Sequence, residues 1–120
     1  MKKLMIALPL VVLPVSTDAF TVQQIMPKCQ KAQGENFDID ATFCLGMVSG
    51  IGHLANQNCA SAKGDWVPYP DYAADTKNVP LGAWVQTFLN WAQEHPENWG
   101  WQAEEGIIMS LSEKFPCLSE

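Results

Sequence analysis

The chain contains no arginine, and its seven lysines face thirteen acidic residues. Nucleic acid and anionic lipid are poor partners for such a chain, because both require a basic footprint. It has no Cys-x-x-Cys pair, and its only histidines, His53 and His95, lie far apart. The spacing of a zinc site is therefore missing, and neither a metal nor another cofactor is expected. No glycine-rich phosphate loop, Ser/His/Asp order or metal-binding helix motif occurs. Nor is any apolar run long enough to cross a bilayer. The longest, Leu4 to Val15, reaches only roughly 18 Å as a helix, against a hydrocarbon core of about 30 Å.

That short run has another use. Lys2 and Lys3 precede it, and Thr17-Asp18-Ala19 follows with small residues placed for cleavage before Phe20. Residues 1–19 thus have the build of a secretory signal peptide, and Pro9 and Pro14 weaken them further as a membrane anchor. The expected mature chain, residues 20–120, is one small domain working outside the cytoplasm. Losing Lys2, Lys3 and Asp18 leaves five lysines against twelve acids, a formal net charge of −7. Such a charge keeps a protein soluble, and it also draws in a basic protein partner over long range.

All four cysteines, Cys29, Cys44, Cys59 and Cys117, fall in the mature part. An even count in a small exported domain predicts two disulfides, with three possible pairings. The hydrophobic periodicity predicts an all-α fold of about four helices with one long irregular loop. Phe20, Val22, Ile25, Met26 and Cys29 mark a first amphipathic helix to about Ala32. Asp38 or Asp40 can cap a second, whose stripe runs Phe43, Cys44, Met47, Val48, Ile51, Leu54 and Ala55. Gly46 and Gly50 share one face of it. Each costs about 1 kcal/mol relative to alanine, which predicts close approach of another helix there. Pro80 opens a third helix bearing Leu81, Trp84, Val85, Phe88, Leu89 and Ala92, stopped at His95-Pro96. Trp91 is one step off that stripe, at a position open to exposure. Asn98 is a candidate cap for a fourth helix with Ala103, Ile107, Ile108, Leu111 and Phe115 on its stripe, ended by Pro116.

This layout selects the disulfides. A hairpin of the first two helices brings Cys29 to Cys44, and up-down alternation brings Cys59 to Cys117. Cys44 and Cys59 are separated by roughly 22 Å of helix, beyond disulfide reach. With the thiols oxidised, few groups remain for catalysis. His53 is expected partly buried, His95 at a helix end, and Glu104 and Glu105 at a helix N-terminus, where acids are stabilised in any case. The residues point to binding rather than to an enzyme. Residues 60–79 carry Trp66, Tyr69 and Tyr72 among Asp65, Asp71 and Asp75 on a proline-stiffened stretch without core periodicity. Such a loop suits an interface anchor, with large contact area and little ordering cost. The other reading folds Trp66 back over the end of the domain.

Phe43-Cys44-Leu45-Gly46-Met47-Val48-Ser49-Gly50 resembles the Phe-Cys-x-Gly-Tyr-aliphatic-x-Gly helix of the type VI secretion immunity proteins of the resistance-associated or amidase-immunity (Rap/Tai) type. Val79-Pro80-Leu81-Gly82, Phe88-Leu89 and His95-Pro96-Glu97 resemble that family's second block. Ala103, Ile107-Ile108, Leu111 and Phe115-Pro116-Cys117 resemble its closing block. The resemblance implies an all-helical periplasmic homodimer that blocks a peptidoglycan amidase delivered by neighbouring cells. Met47 replaces the family's usual tyrosine, and residues 60–79 look longer than the usual connection. The matched residues read as scaffold, so partner contact is expected from Trp66, Tyr69, Asp71 and Tyr72, with Asp65 and Asp75 aiding encounter. The alternative reading is a small periplasmic acid-stress chaperone.

Overall fold

A computed structural model of the chain describes Pro9 and residues 20–35, 37–61 and 73–117. The leader expected at residues 1–19, Pro9 apart, lies outside the described residues, as do Asp65, Trp66, Tyr69, Asp71 and Tyr72. Among the described residues the fold is four helices: α1 (Val22–Ala32), α2 (Ile39–Ser61), α3 (Leu81–Glu94) and α4 (Ala103–Lys114), with a 3-10 turn at Pro96–Asn98. This is the all-α architecture that the periodicity predicts.

The first three helices have local causes at their ends. Thr21 starts α1 with a capping box: its hydroxyl accepts from the Gln24 N–H, and the Gln24 side chain accepts from the Thr21 N–H. Asp38 caps α2, its carboxylate accepting from the Ala41 N–H at 3.0 Å. Pro80 is the N-cap of α3. The last carbonyls of α3 are taken up by side chains. The Trp99 indole N–H donates to the Ala92 carbonyl at 2.7 Å, and His95 Nδ1 lies 2.8 Å from the Trp91 carbonyl. A carbonyl only accepts, so Nδ1 carries the proton there.

The fourth helix starts differently from the expectation. Asn98 closes the 3-10 turn, and Gln102 is the N-cap of α4, with no side-chain capping bond. Residues 101–103 are instead fixed by the start of the domain. The Val22 N–H donates to the Trp101 carbonyl at 2.9 Å, and the Ala103 N–H donates to the Phe20 carbonyl at 2.7 Å. Backbone pairing across some eighty residues of sequence thus replaces a local cap.

The core gathers one face of every helix, with Val22, Ile25, Val48, Val85, Phe88, Ile107 and Leu111 fully buried at its centre. Trp91 is buried too, correcting its placement off the α3 stripe. Both α1 and α4 pack on α3, so its apolar arc is wider than one stripe. Two glycines permit close approaches. A β-carbon on Gly52 would overlap the Trp84 ring, and one on Gly106 would meet Val22 and Trp91. Gly52→Ala is therefore expected to lower stability by about 1–3 kcal/mol, as a fall in the urea midpoint. An unchanged midpoint would mean that Trp84 moves aside freely.

The disulfides join Cys29 to Cys44 and Cys59 to Cys117, the pairing that the helical layout selects. Their Cα separations are 5.2 and 5.6 Å, both ordinary for a cystine. One bridge fastens α1 to α2. The other fastens the end of α2 to the tail beyond α4.

Candidate functional site

The helix that anchors both bridges is also the least finished surface of the domain. From Ala41 to Ser61, α2 has no Asp, Glu or Lys. One face, Ala41, Cys44, Val48 and Ala55, is buried in the core. The opposite face is apolar as well. Phe43, Gly46, Met47, Gly50 and Leu54 follow one another at helical spacing along a shallow groove shared with Thr42 and Ile51. Ile39 is 84 % exposed and Leu54 54 %. A helix that is apolar on both faces calls for cover on both.

The glycines correct one expectation. The sequence predicts a close helix approach at Gly46 and Gly50, yet a β-carbon at either would meet nothing within 4 Å. No helix of the same chain fills the notch among the described residues. The sequence shows which face wants a neighbour, and the structure shows that the described part of the chain does not supply it.

The edge of this face near α1 is held by charge. Lys28 bonds Asp40 at 2.7 Å, while Lys31 reaches Asp40 at 2.9 Å and Asp38 at 3.1 Å. Lys28 also lies over the rings of Phe20 and Phe43, 5.6 and 5.9 Å from their centroids. The hydrogen bonds from Lys28 and Lys31 hold the Asp40 carboxyl down to about 2. Asp38 is lowered by the Ala41 N–H and then by Lys31, and Lys31 is raised by Asp40 and then Asp38.

The sign follows by linkage. A depressed carboxyl contributes stability that is complete above its unfolded value near 3.8 and is lost as pH falls through about 2. A raised lysine contributes below its ordinary 10.5 and loses that contribution only above it. The clip therefore holds from about pH 4 to about pH 10. The stability difference between wild type and Asp40→Asn is expected to stay constant from pH 4 to 8 and to shrink toward pH 2. Urea midpoints across that range check it, and a difference that vanished by pH 5 would contradict it.

A second recess lies between α2 and the segment before α3, with a volume of about 440 Å³. His53 and Asn56 from α2 face Lys77, Asn78 and Val79 across it, and Trp84 forms part of the wall. His53 is exposed, not partly buried as expected, and sits edge-on to the Trp84 ring with centroids 5.4 Å apart. The segment is firmly seated. Ala73, Ala74 and Thr76 are buried, and the Thr76 hydroxyl donates to the Gly52 carbonyl at 2.8 Å. The stretch expected to be irregular from 60 to 79 is thus helical up to Ser61 and packed again from Ala73.

Of the residues expected to contact a partner, Asp75 is the one described. It is half-buried, and its N–H donates to the Phe115 carbonyl at 2.7 Å. His95 stacks on Trp91, with ring centroids 4.7 Å apart, and caps α3. All four cysteines are in disulfides. Among the described residues no three His, Cys, Asp or Glu side chains gather as a metal site would require. No described helix is long and apolar enough to cross a membrane. Among the described residues this geometry offers two surfaces for contact, the apolar groove on α2 and the recess beside His53.

No curated protein and no solved structure matches the chain. A family model does, over residues 21–117, a span that takes in all four helices and both disulfides. The chain belongs to the Rap1a immunity protein family.

Proposed function

We propose that this protein is exported to the periplasm through a cleavable leader, residues 1–19, and there occludes the active site of a peptidoglycan amidase delivered by a type VI secretion system. The match to the immunity family over residues 21–117 carries this reading. Occlusion needs no chemistry from the inhibitor, only an interface on the order of 800 Å² per partner with a few buried anchors. The contact segment is Asp65, Trp66, Tyr69, Asp71 and Tyr72, with Asp75 at its seated end. The net charge of −7 on residues 20–120 supports fast encounter with a basic enzyme.

The protein acts as a homodimer joined through the open face of α2. Two copies of a strongly acidic chain repel each other over most of their surface, and this face carries no charge. A β-carbon at Gly46 or Gly50 would meet nothing within 4 Å, which leaves room in the groove for Met47 or Leu54 of a second copy related by a two-fold axis. Leu54→Asp is expected to keep the helical fold and to weaken the dimer at least about a hundredfold, read by sedimentation equilibrium. A dimer of unchanged strength would place the interface elsewhere.

The proposed activity is tested in cells that direct the cognate amidase to their own periplasm. The complete chain should restore growth, and a version lacking residues 1–19 should not. Killing that the exported chain failed to relieve would reject the reading.

A further inference from the structure

The recess between α2 and residues 76–81 has a chemical bias that neither fold nor family accounts for. The chain is strongly acidic, yet among the described residues the ionisable side chains lining this recess are His53 and Lys77, with no carboxylate. Among the described residues Lys77 makes no ion pair, whereas Lys28 and Lys31 are spent on Asp38 and Asp40. Trp84 forms part of the wall, 5 % exposed and with its indole N–H shut off from solvent. A lysine ammonium only donates, while the side chains of Ser49, Asn56 and Asn78 can both donate and accept. The unspent hydrogen-bonding capacity here is therefore weighted toward donors, which suits an acceptor that carries negative charge.

The recess is also held in shape. The Thr76 hydroxyl is fixed on the Gly52 carbonyl at 2.8 Å, and the Val79 N–H closes a turn on the Thr76 carbonyl at 3.2 Å. Between them Asn78 has a φ of 66°, a left-handed conformation that costs an asparagine less than most residues but is uncommon all the same. Lys77 and Asn78 both line the recess and are exposed. At about 440 Å³, the recess falls in the size range of small-ligand pockets and is larger than one carboxylate needs.

We propose that the His53–Lys77 recess is a carboxylate socket, filled by an acidic side chain of the protein that this domain binds. The proposal rests on the effector-binding reading and adds to it a second, chemically distinct contact. Asp65 and Asp71 of the contact segment would meet basic groups of the partner, and this socket would meet an acidic one. A partner must then present both signs in the right places, which confers specificity more than raw affinity.

The probe is N-acetyl-glutamate α-amide, whose one charge is its side-chain carboxylate, titrated into isotope-labelled residues 20–120 at constant ionic strength. Its neutral control is the corresponding glutamine derivative. Saturable shifts are expected at the amides of Gly52, Thr76 and Asn78 and at the Trp84 indole N–H. Lys77→Gln should weaken them about tenfold and Lys114→Gln should leave them unchanged. Equal shifts with the glutamine control, or equal losses in the two lysine variants, would overturn the proposal. A second arm measures the amidase itself against wild type and Lys77→Glu. Equal affinities would remove the socket from the contact while leaving the immunity reading intact. An amidase that ignored the wild type would sink that reading and the partner's place in the socket, even if the probe still bound.

Discussion

Replacing Cys59 and Cys117 by serine is expected to lower the unfolding free energy by about 4 kcal/mol, and replacing Cys29 and Cys44 by about 3 kcal/mol. The difference comes from the sequence separations, 58 and 15 residues, that the two bridges close in the unfolded chain. Whole-domain stabilities run about 5–15 kcal/mol, so either loss removes a large part of the total. A domain of about a hundred residues has little core with which to compensate. The longer bridge matters for another reason. It holds the end of α2 against the tail beyond α4, and α2 in turn seats residues 73–76 through Ala55 and Gly52. Reductant should therefore lower the urea midpoint sharply and reproduce the effect of the quadruple cysteine variant. A midpoint unmoved by reductant would show that helix packing alone sustains the fold.

The second large effect concerns affinity. The double substitution Trp66→Ala and Tyr69→Ala is expected to weaken binding of the amidase by more than about 2 kcal/mol, some thirtyfold, with thermal stability nearly unchanged. Aromatic anchors bring large contact area at low conformational cost, and truncating two of them removes the centre of a contact. Calorimetric titration of the double variant checks this. Unchanged affinity would move the contact to another surface, and a matching loss of stability would mean that Trp66 covers the domain's end.

The helices were legible because their apolar residues recur with the helical period, and the disulfide pairing was legible because few helix layouts bring four cysteines into reach. What local sequence did not show depends on contacts between distant segments. Asn98 looked like a cap, but backbone pairing between 20–22 and 101–103 starts α4 instead. Trp91 looked peripheral because a single stripe does not reveal that α3 is covered from two sides. Gly46 and Gly50 marked a face that wants a helix without saying whether that helix belongs to the same chain. The His53–Lys77 recess was invisible for the same reason, since its walls come from segments twenty or more residues apart.

The acid-stress alternative draws no trigger from the clip that joins α1 to α2. Acid activation by release of Asp40 would require a pH near 2, because Lys28 and Lys31 keep that carboxyl ionised above it. Mild acidification leaves this connection closed.

The central claim is that the domain works by covering another protein's active site. The most direct measurement is amidase turnover on purified peptidoglycan, titrated with residues 20–120 carrying both disulfides. The account predicts that hydrolysis stops at one inhibitor subunit per enzyme, with no product formed by the inhibitor alone. Hydrolysis that continued past equivalence, or cell-wall cleavage by the domain itself, would contradict it.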